Sequence, residues 1–326
     1  MKKYLKRFLK GNAPVLARYI KFLVNISERN NLVCRCRDYT SSVIFRSILK
    51  ILVTPYYLIK YFFPPFVPRR EGLALVLIAK DEGSYIKEWL DFHIKQGVSQ
   101  FIIYDNGSTD NFHEVLAPYI EAGTVNYETI KGKRRQVDAY NMSLNKYGHK
   151  FRYMGFIDTD EFIYIRRNIK DGNLCKFMDA FMSEHKNAGG LAVNWLIFGS
   201  SGHEKRPEGG VLRNFTRCSE NDFKHNLAFK TICDPMRVLA AHVHAPSCFY
   251  RGFHEVNEDG EIIINPSSSK VSFEKIRINH YFCKSKEEFQ DKMKRGKGYN
   301  PGGHSMKNFL RMDKNDVEDT EILSRM

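Results

Sequence analysis

Residues 153–165 read YMGFIDTDEFIYI. Two apolar runs, Tyr153–Ile157 and Phe162–Ile165, box in a polar turn made of Asp158, Thr159, Asp160 and Glu161. A short apolar run bounded by turn residues is the signature of a buried strand. Asp158 and Asp160, spaced i, i+2 at a strand end, can converge on one hard cation. Alone the pattern is weak, because solvated acids are common in loops. Here both neighbours are apolar, which argues against a solvated loop, because burying two carboxylates without a metal is costly.

Working outward, the same grammar repeats. Leu73–Ala79 (LALVLIA) is continuously apolar, as a buried parallel strand is. Ser84 can then cap a helix that places Ile86, Trp89, Leu90, His93 and Ile94 on one face and stops at Gly97. Phe101–Tyr104 is a second strand, breaking at Asp105-Asn106-Gly107-Ser108, and a helix follows from about Asp110 to Ala122. Val125–Ile130 is a third strand, Val137–Tyr147 a third helix, and Tyr153–Ile157 the fourth strand. Strands alternating with helices of this length predict an α/β fold, a mainly parallel sheet with helices on both faces. Asp81 and Glu82, Asp105 and Asn106, and Asp158 and Asp160 then share the carboxyl edge, where open α/β sheets bind ligands. Such an acidic edge suits a divalent cation and sugar or ribose hydroxyls.

The first seventy residues are different. They hold 15 of the 51 Lys+Arg but only two of the 37 acids, Glu28 and Asp38, so +13 of the net +14 lies there. The remainder is electrostatically balanced, which argues against a nucleic-acid-binding domain, and no nucleic-acid motif accompanies the basic residues. Val43–Phe63 is mostly apolar, but Arg46, Lys50 and Lys60 interrupt it. Spanning a bilayer takes about 20 predominantly apolar residues. Arg46, Lys50 and Thr54 instead form one polar stripe, with Tyr56 to Phe63 rich in aromatics. That pattern predicts an amphipathic helix lying on an anionic membrane surface. The division is therefore 1–70, a basic membrane-association segment, and 71–326, a catalytic domain, joined through Pro64, Pro65 and Pro68. Seven cysteines with no CxxC pair and no cleavable leader argue against a disulfide framework. The expected location is cytoplasmic, peripheral to the inner face of the plasma membrane.

Taken together the motifs resemble the nucleotide-sugar glycosyltransferases of the GT-A type, within them family 92 and neighbouring family 2 sequences. The matching residues are Lys80-Asp81-Glu82 with Glu88-Trp89-Leu90 and His93, Tyr104 to Asp110, Gln136 with Ala139-Tyr140-Asn141, and Ile157 to Phe162. Further on they are Trp195 to His203, Lys230 with Pro235, and Asn279-His280-Tyr281 with Lys284. The resemblance spans about residues 72–320 and implies a UDP-sugar donor with Mn²⁺ or Mg²⁺. It implies Asp158, Asp160 and His280 as metal ligands, and Lys80, Glu82, Asp105, Gln136, Asp158 and Lys284 as donor contacts. Trp195 and His203 would face the acceptor, a glycan or lipid-linked glycan of the lipopolysaccharide or capsule kind. A metal of this type stabilises the diphosphate leaving group as the glycosyl bond breaks. An inverting transfer also needs a carboxylate base, for which Glu204, Glu208 and Asp222 are candidates on the acceptor side. Arg213 stands where related sequences often carry an acid. The cationic run Lys284, Lys292, Lys294, Arg295 and Lys297 beside Gly296, Gly302 and Gly303 suggests a loop closing on the diphosphate.

Two other readings compete. A sugar-nucleotide pyrophosphorylase uses a similar sheet but wants a glycine-rich loop after the first strand, where Lys80-Asp81-Glu82 stands. A non-enzymatic polyanion-binding protein fits poorly with a neutral domain.

Overall fold

The computed structural model describes residues 70–263, 270–295 and 303–326. The membrane reading, with Arg46, Lys50, Thr54 and the aromatic cluster, lies outside the described residues, as do Gly296, Lys297 and Gly302. No helix among the described residues is long and apolar enough to cross a membrane.

In chain order the first half holds β1 (Glu71–Ala79), α1 (Ile86–Lys95), β2 (Gln100–Asp105), α2 (Phe112–Glu121), β3 (Val125–Thr129), α3 (Gln136–Tyr147), β4 (Phe151–Phe156), β5 (Glu161–Ile165) and α4 (Leu174–Glu184). There follow β6 (Ala188–Ile197), α5 (Val211–Asn214), β7 (Arg217–Cys218), β8 (Phe229–Cys233), β9 (Val238–Ala241), β10 (Pro246–Phe249) and β11 (His254–Val256). The last elements are β12 (Ile276–His280), α6 (Lys286–Arg295), α7 (Met306–Met312) and β13 (Val317–Glu318).

The main sheet has nine strands in the order β3-β2-β1-β4-β8-β6-β12-β5, with β11 also on β6. Pairs β2–β3, β1–β2, β1–β4, β6–β12 and β6–β11 are parallel. Only β8 and β5 run against the rest. The expected mainly parallel α/β sheet is present, with two antiparallel strands that local alternation could not announce. Alternate residues of β1 feed two cores, as a strand buried on both faces must. Leu73, Leu75 and Leu77 pack with α1, α2 and α4, whereas Ala74 and Val76 pack with α3.

The first helix differs in two details from its sequence reading. Tyr85 is its N-cap and no side chain caps it. Ser84 Oγ instead accepts a hydrogen bond from Arg206 at 3.0 Å. Ile94 is 38 % exposed rather than on the buried face, while Trp89 and His93 are fully enclosed. Gly97 ends the helix with a left-handed φ of +89°, which glycine adopts without strain. At the start of β1 Arg70 bonds the Phe151 carbonyl and Asp234, both at 2.8 Å.

Candidate active site

Each strand places one residue in two on the same face, and directly opposed residues on neighbouring strands share that face. Val193 of β6 lies opposite Lys230 of β8, and Trp195 is two residues further along β6. Trp195 sits beside Ile278 of β12, and His280 is two residues on. His280 in turn opposes Glu161 of β5. Four adjacent strands thus put Lys230, Trp195, His280 and Glu161 on one face near the edge where β4 delivers Asp158 and Asp160.

Two acid–base pairs crown this floor. Asp158 receives Gln136 Nε2 at 2.7 Å and the Tyr140 hydroxyl at 3.3 Å on one oxygen, and Lys230 Nζ at 2.9 Å on the other. Gln136 and Tyr140 are one turn apart on α3, so a single helix face grips the carboxylate. Asp160 receives Lys292 Nζ of α6 at 2.6 Å, and its other oxygen stands 3.6 Å from His280 Nε2. Burial works to raise the Asp160 carboxyl, but Lys292 and His280 outweigh it and hold it well below the usual range.

Beneath them, Glu161 is fully buried, accepts the Asp158 backbone N–H at 2.9 Å, and lies 3.5 Å from Lys230. One ammonium faces two carboxyl groups, and Asp158 holds it more closely. Burial opposes the charge on Lys230, yet Asp158 and then Glu161 push its pKa above the ordinary lysine value. Glu161 is pushed up to about 8 by burial, against the pull of Lys230.

The other residues read from the sequence fall in different places. Asp105 accepts from the Ser108 N–H and hydroxyl at 2.8 and 2.7 Å and from Tyr127 at 2.7 Å. Asp81 likewise binds the Thr109 N–H at 2.7 Å. Glu82 lies 3.5 Å from Lys284, whose ammonium also covers the Tyr85 ring, and Lys80 is exposed. His203 Nε2 contacts the Asn214 carbonyl at 3.2 Å, inside its own loop. Glu204 pairs with Lys286 at 2.9 Å on the surface, and Glu208 and Asp222 are exposed. None of the three candidate bases has a bond to the Asp158–Asp160 centre. Trp195 is 8 % exposed and packs edge-to-face on His280 at 4.3 Å, so it belongs to the wall of that centre.

Lys230 is the residue whose part the sequence reading left unassigned. Its signal was present: a lysine inside the strand FKTIC is a cation carried into the core, and a buried cation needs a carboxylate. Its partner lies 72 residues away, which no local pattern reveals.

For a divalent cation, the chemistry of the donor set is the test. Asp160 Oδ1 and His280 Nε2, at 3.6 Å, are too far apart for a hydrogen bond. They are close to the roughly 3 Å that separates adjacent ligands on an octahedral ion. Asp158 is committed to Gln136, Tyr140 and Lys230. Among the described residues no group of three or more His, Cys, Asp or Glu converges to hold an ion. A cation placed here would take one carboxylate oxygen from Asp160 and one imidazole nitrogen from His280, with the rest of its shell left to substrate phosphate and water.

Residues 77–314 match the model of glycosyltransferase family 92. A family 92 glycosyltransferase of Ricinus communis is 25 % identical over 226 residues, covering 68 % of this chain and 37 % of that protein. The galactan β-1,4-galactosyltransferase GALS2 of Arabidopsis thaliana is 36 % identical over 90 residues, covering 24 % of this chain and 17 % of that protein. The chain therefore spans well under half the length of these curated relatives. Among solved structures, S. aureus TarS in complex with UDP aligns at 17 % identity and a TM-score of 0.34, over 50 % of this chain and 47 % of that one.

Proposed function

Because the chain belongs to glycosyltransferase family 92, we propose that it transfers a sugar from a UDP-sugar to a glycan acceptor with the help of Mn²⁺ or Mg²⁺. The observation that carries this reading is the Asp158–Asp160 turn, with one carboxylate locked by α3 and Lys230 and the other facing His280. Asp160 and His280 would hold the cation, which supplies Lewis-acid stabilisation of the diphosphate leaving group. Lys292 supplies positive charge at the same place. Asp158, held rigid by Gln136, Tyr140 and Lys230, orients donor hydroxyls. The curated relatives matched here are plant proteins, including a galactan galactosyltransferase. A bacterial-type surface glycan as acceptor, and peripheral attachment to the inner face of the plasma membrane through residues 1–65, stay within this proposal. The attachment rests on the +13 charge of the N-terminal segment, and the acceptor on the lipid-linked glycans that an enzyme so anchored would meet.

The test is thermal stabilisation and hydrolysis with UDP-, GDP- and CMP-sugars, with and without Mn²⁺. A correct donor at 100 times its dissociation constant adds about 2.7 kcal/mol of stability. UDP-sugars should stabilise with Mn²⁺ and lose that effect in EDTA; equal stabilisation by all three nucleotide classes, or by none, sinks the reading. For the membrane part, full-length protein should co-sediment with anionic liposomes at low salt and the 1–65 deletion should not.

A further inference from the structure

A buried polar atom is normally paired, and one left alone is costly. Near Asp158 and Asp160 three such atoms lie on touching rings, those of Trp195, His244 and His280, and Glu161 Oε1 is a fourth beside them. Trp195 Nε1 and His244 Nδ1 are both enclosed and lack a hydrogen-bond partner among the described residues. The Trp195 and His244 rings meet edge-to-face at 5.3 Å. His244 reaches this place on the turn between β9 and β10, and the turn is held from below at two points. Asn141 of α3 bonds both the N–H and the carbonyl of Ala241 at 3.0 Å, and the Val243 carbonyl accepts Lys230 at 3.1 Å. The helix and the lysine that fix Asp158 therefore also fix His244.

The chemistry of the pair narrows what can sit there. An indole N–H only donates, so its partner is an acceptor. Burial, with Lys230 adding to it, lowers His244 to a pKa of about 3, so the imidazole is neutral, donating with one nitrogen and accepting with the other. A hydroxyl both donates and accepts and satisfies both rings. The two cations of the centre, Lys230 and Lys292, are already engaged by Asp158 and Asp160, so a sugar carboxylate placed here would face those two carboxylates without a cation of its own.

Resting on the donor reading above, we propose that Trp195 and His244 form the subsite for the transferred sugar ring and select a neutral hexose over an acidic sugar. The test uses full-length protein with Mn²⁺ and measures dissociation constants for UDP, UDP-galactose, UDP-glucose and UDP-glucuronate. Trp195→Phe keeps an aromatic ring and removes the N–H; His244→Phe keeps a ring and removes both nitrogens. In each variant the UDP constant should stay within about twofold. The advantage of the preferred UDP-hexose over UDP should fall about tenfold, the size of one lost hydrogen bond. The donor Michaelis constant should rise while the acceptor's does not. An unchanged hexose-to-UDP ratio in both variants overturns the inference, as does a rise confined to the acceptor or a wild-type preference for UDP-glucuronate. If Trp195→Phe does not fold, His244→Phe, on a turn, decides alone. Wild-type protein that binds neither UDP nor any UDP-sugar removes the donor reading itself, and the subsite falls with it. Normal UDP binding with an unaltered ratio removes the subsite alone.

Discussion

The two halves of the sheet edge carry the same residue type and treat it differently. At the ends of β1 and β2, Asp81 and Asp105 spend their oxygens on hydroxyls and backbone N–H groups close by, such as Thr109, Ser108 and Tyr127. At the end of β4, Asp158 and Asp160 face lysines brought from 72 and 132 residues away. Carboxylates of the first kind build loops. Those of the second are charge centres on a polar floor, and a ligand's cation or hydroxyls can trade places with their partners.

Replacing Lys230 should have the largest effect on this contrast. In Lys230→Met, Asp158 and Glu161 lose the cation they share, and removing one partner of a buried pair costs about 3 kcal/mol or more. Urea denaturation would read the loss, and a cost under about 1 kcal/mol would put Asp158 in the class of Asp81. Next comes Asp160→Asn, which should lower transfer about 100-fold or more while the far-ultraviolet circular dichroism is unchanged. Full turnover in that variant, or wild-type turnover persisting in excess EDTA, removes the metal-dependent mechanism.

A third effect belongs to the structural side of the sheet. His93 donates from Nδ1 to the Trp89 carbonyl at 2.8 Å and accepts the Ile163 N–H at 3.2 Å on Nε2, so the folded protein needs it neutral. Burial lowers it to about 3, against about 6.5 in an unfolded chain. The unfolded state therefore takes up the proton first, and this contribution is complete above about pH 6.5 and lost progressively as pH falls towards 3. Between pH 7 and 5 the wild type should lose about 2 kcal/mol more than His93→Gln. Equal losses would mean that His93 is protonated in the fold. The smallest effect is Tyr127→Phe, which removes one hydrogen bond to Asp105 and should cost about 1 kcal/mol with little change in UDP affinity. A tenfold loss of UDP binding there would move Asp105 from loop architecture into the donor site.

The sequence by itself determined the strand–helix alternation from Leu73 to Ile157, the breaks at Gly97 and Asp105, and the carboxyl-edge position of Asp158 and Asp160. It did so because apolar periodicity and turn chemistry act within a few residues. It also picked out Gln136, His280 and Trp195 through their motifs, though not what each one touches. Tertiary structure alone decided the rest: that β8 runs antiparallel between β4 and β6, that Lys230 and Lys292 serve different carboxylates, and that His244 swings in on a hairpin pinned by Asn141. It also left Glu204, Glu208 and Asp222 on the outside. A strand's period of two says which residues share a face but not which strand lies beside it, and a charge on one segment does not name its partner. Those pairings are settled only when distant segments are buried together and each charge left in the interior must meet its opposite.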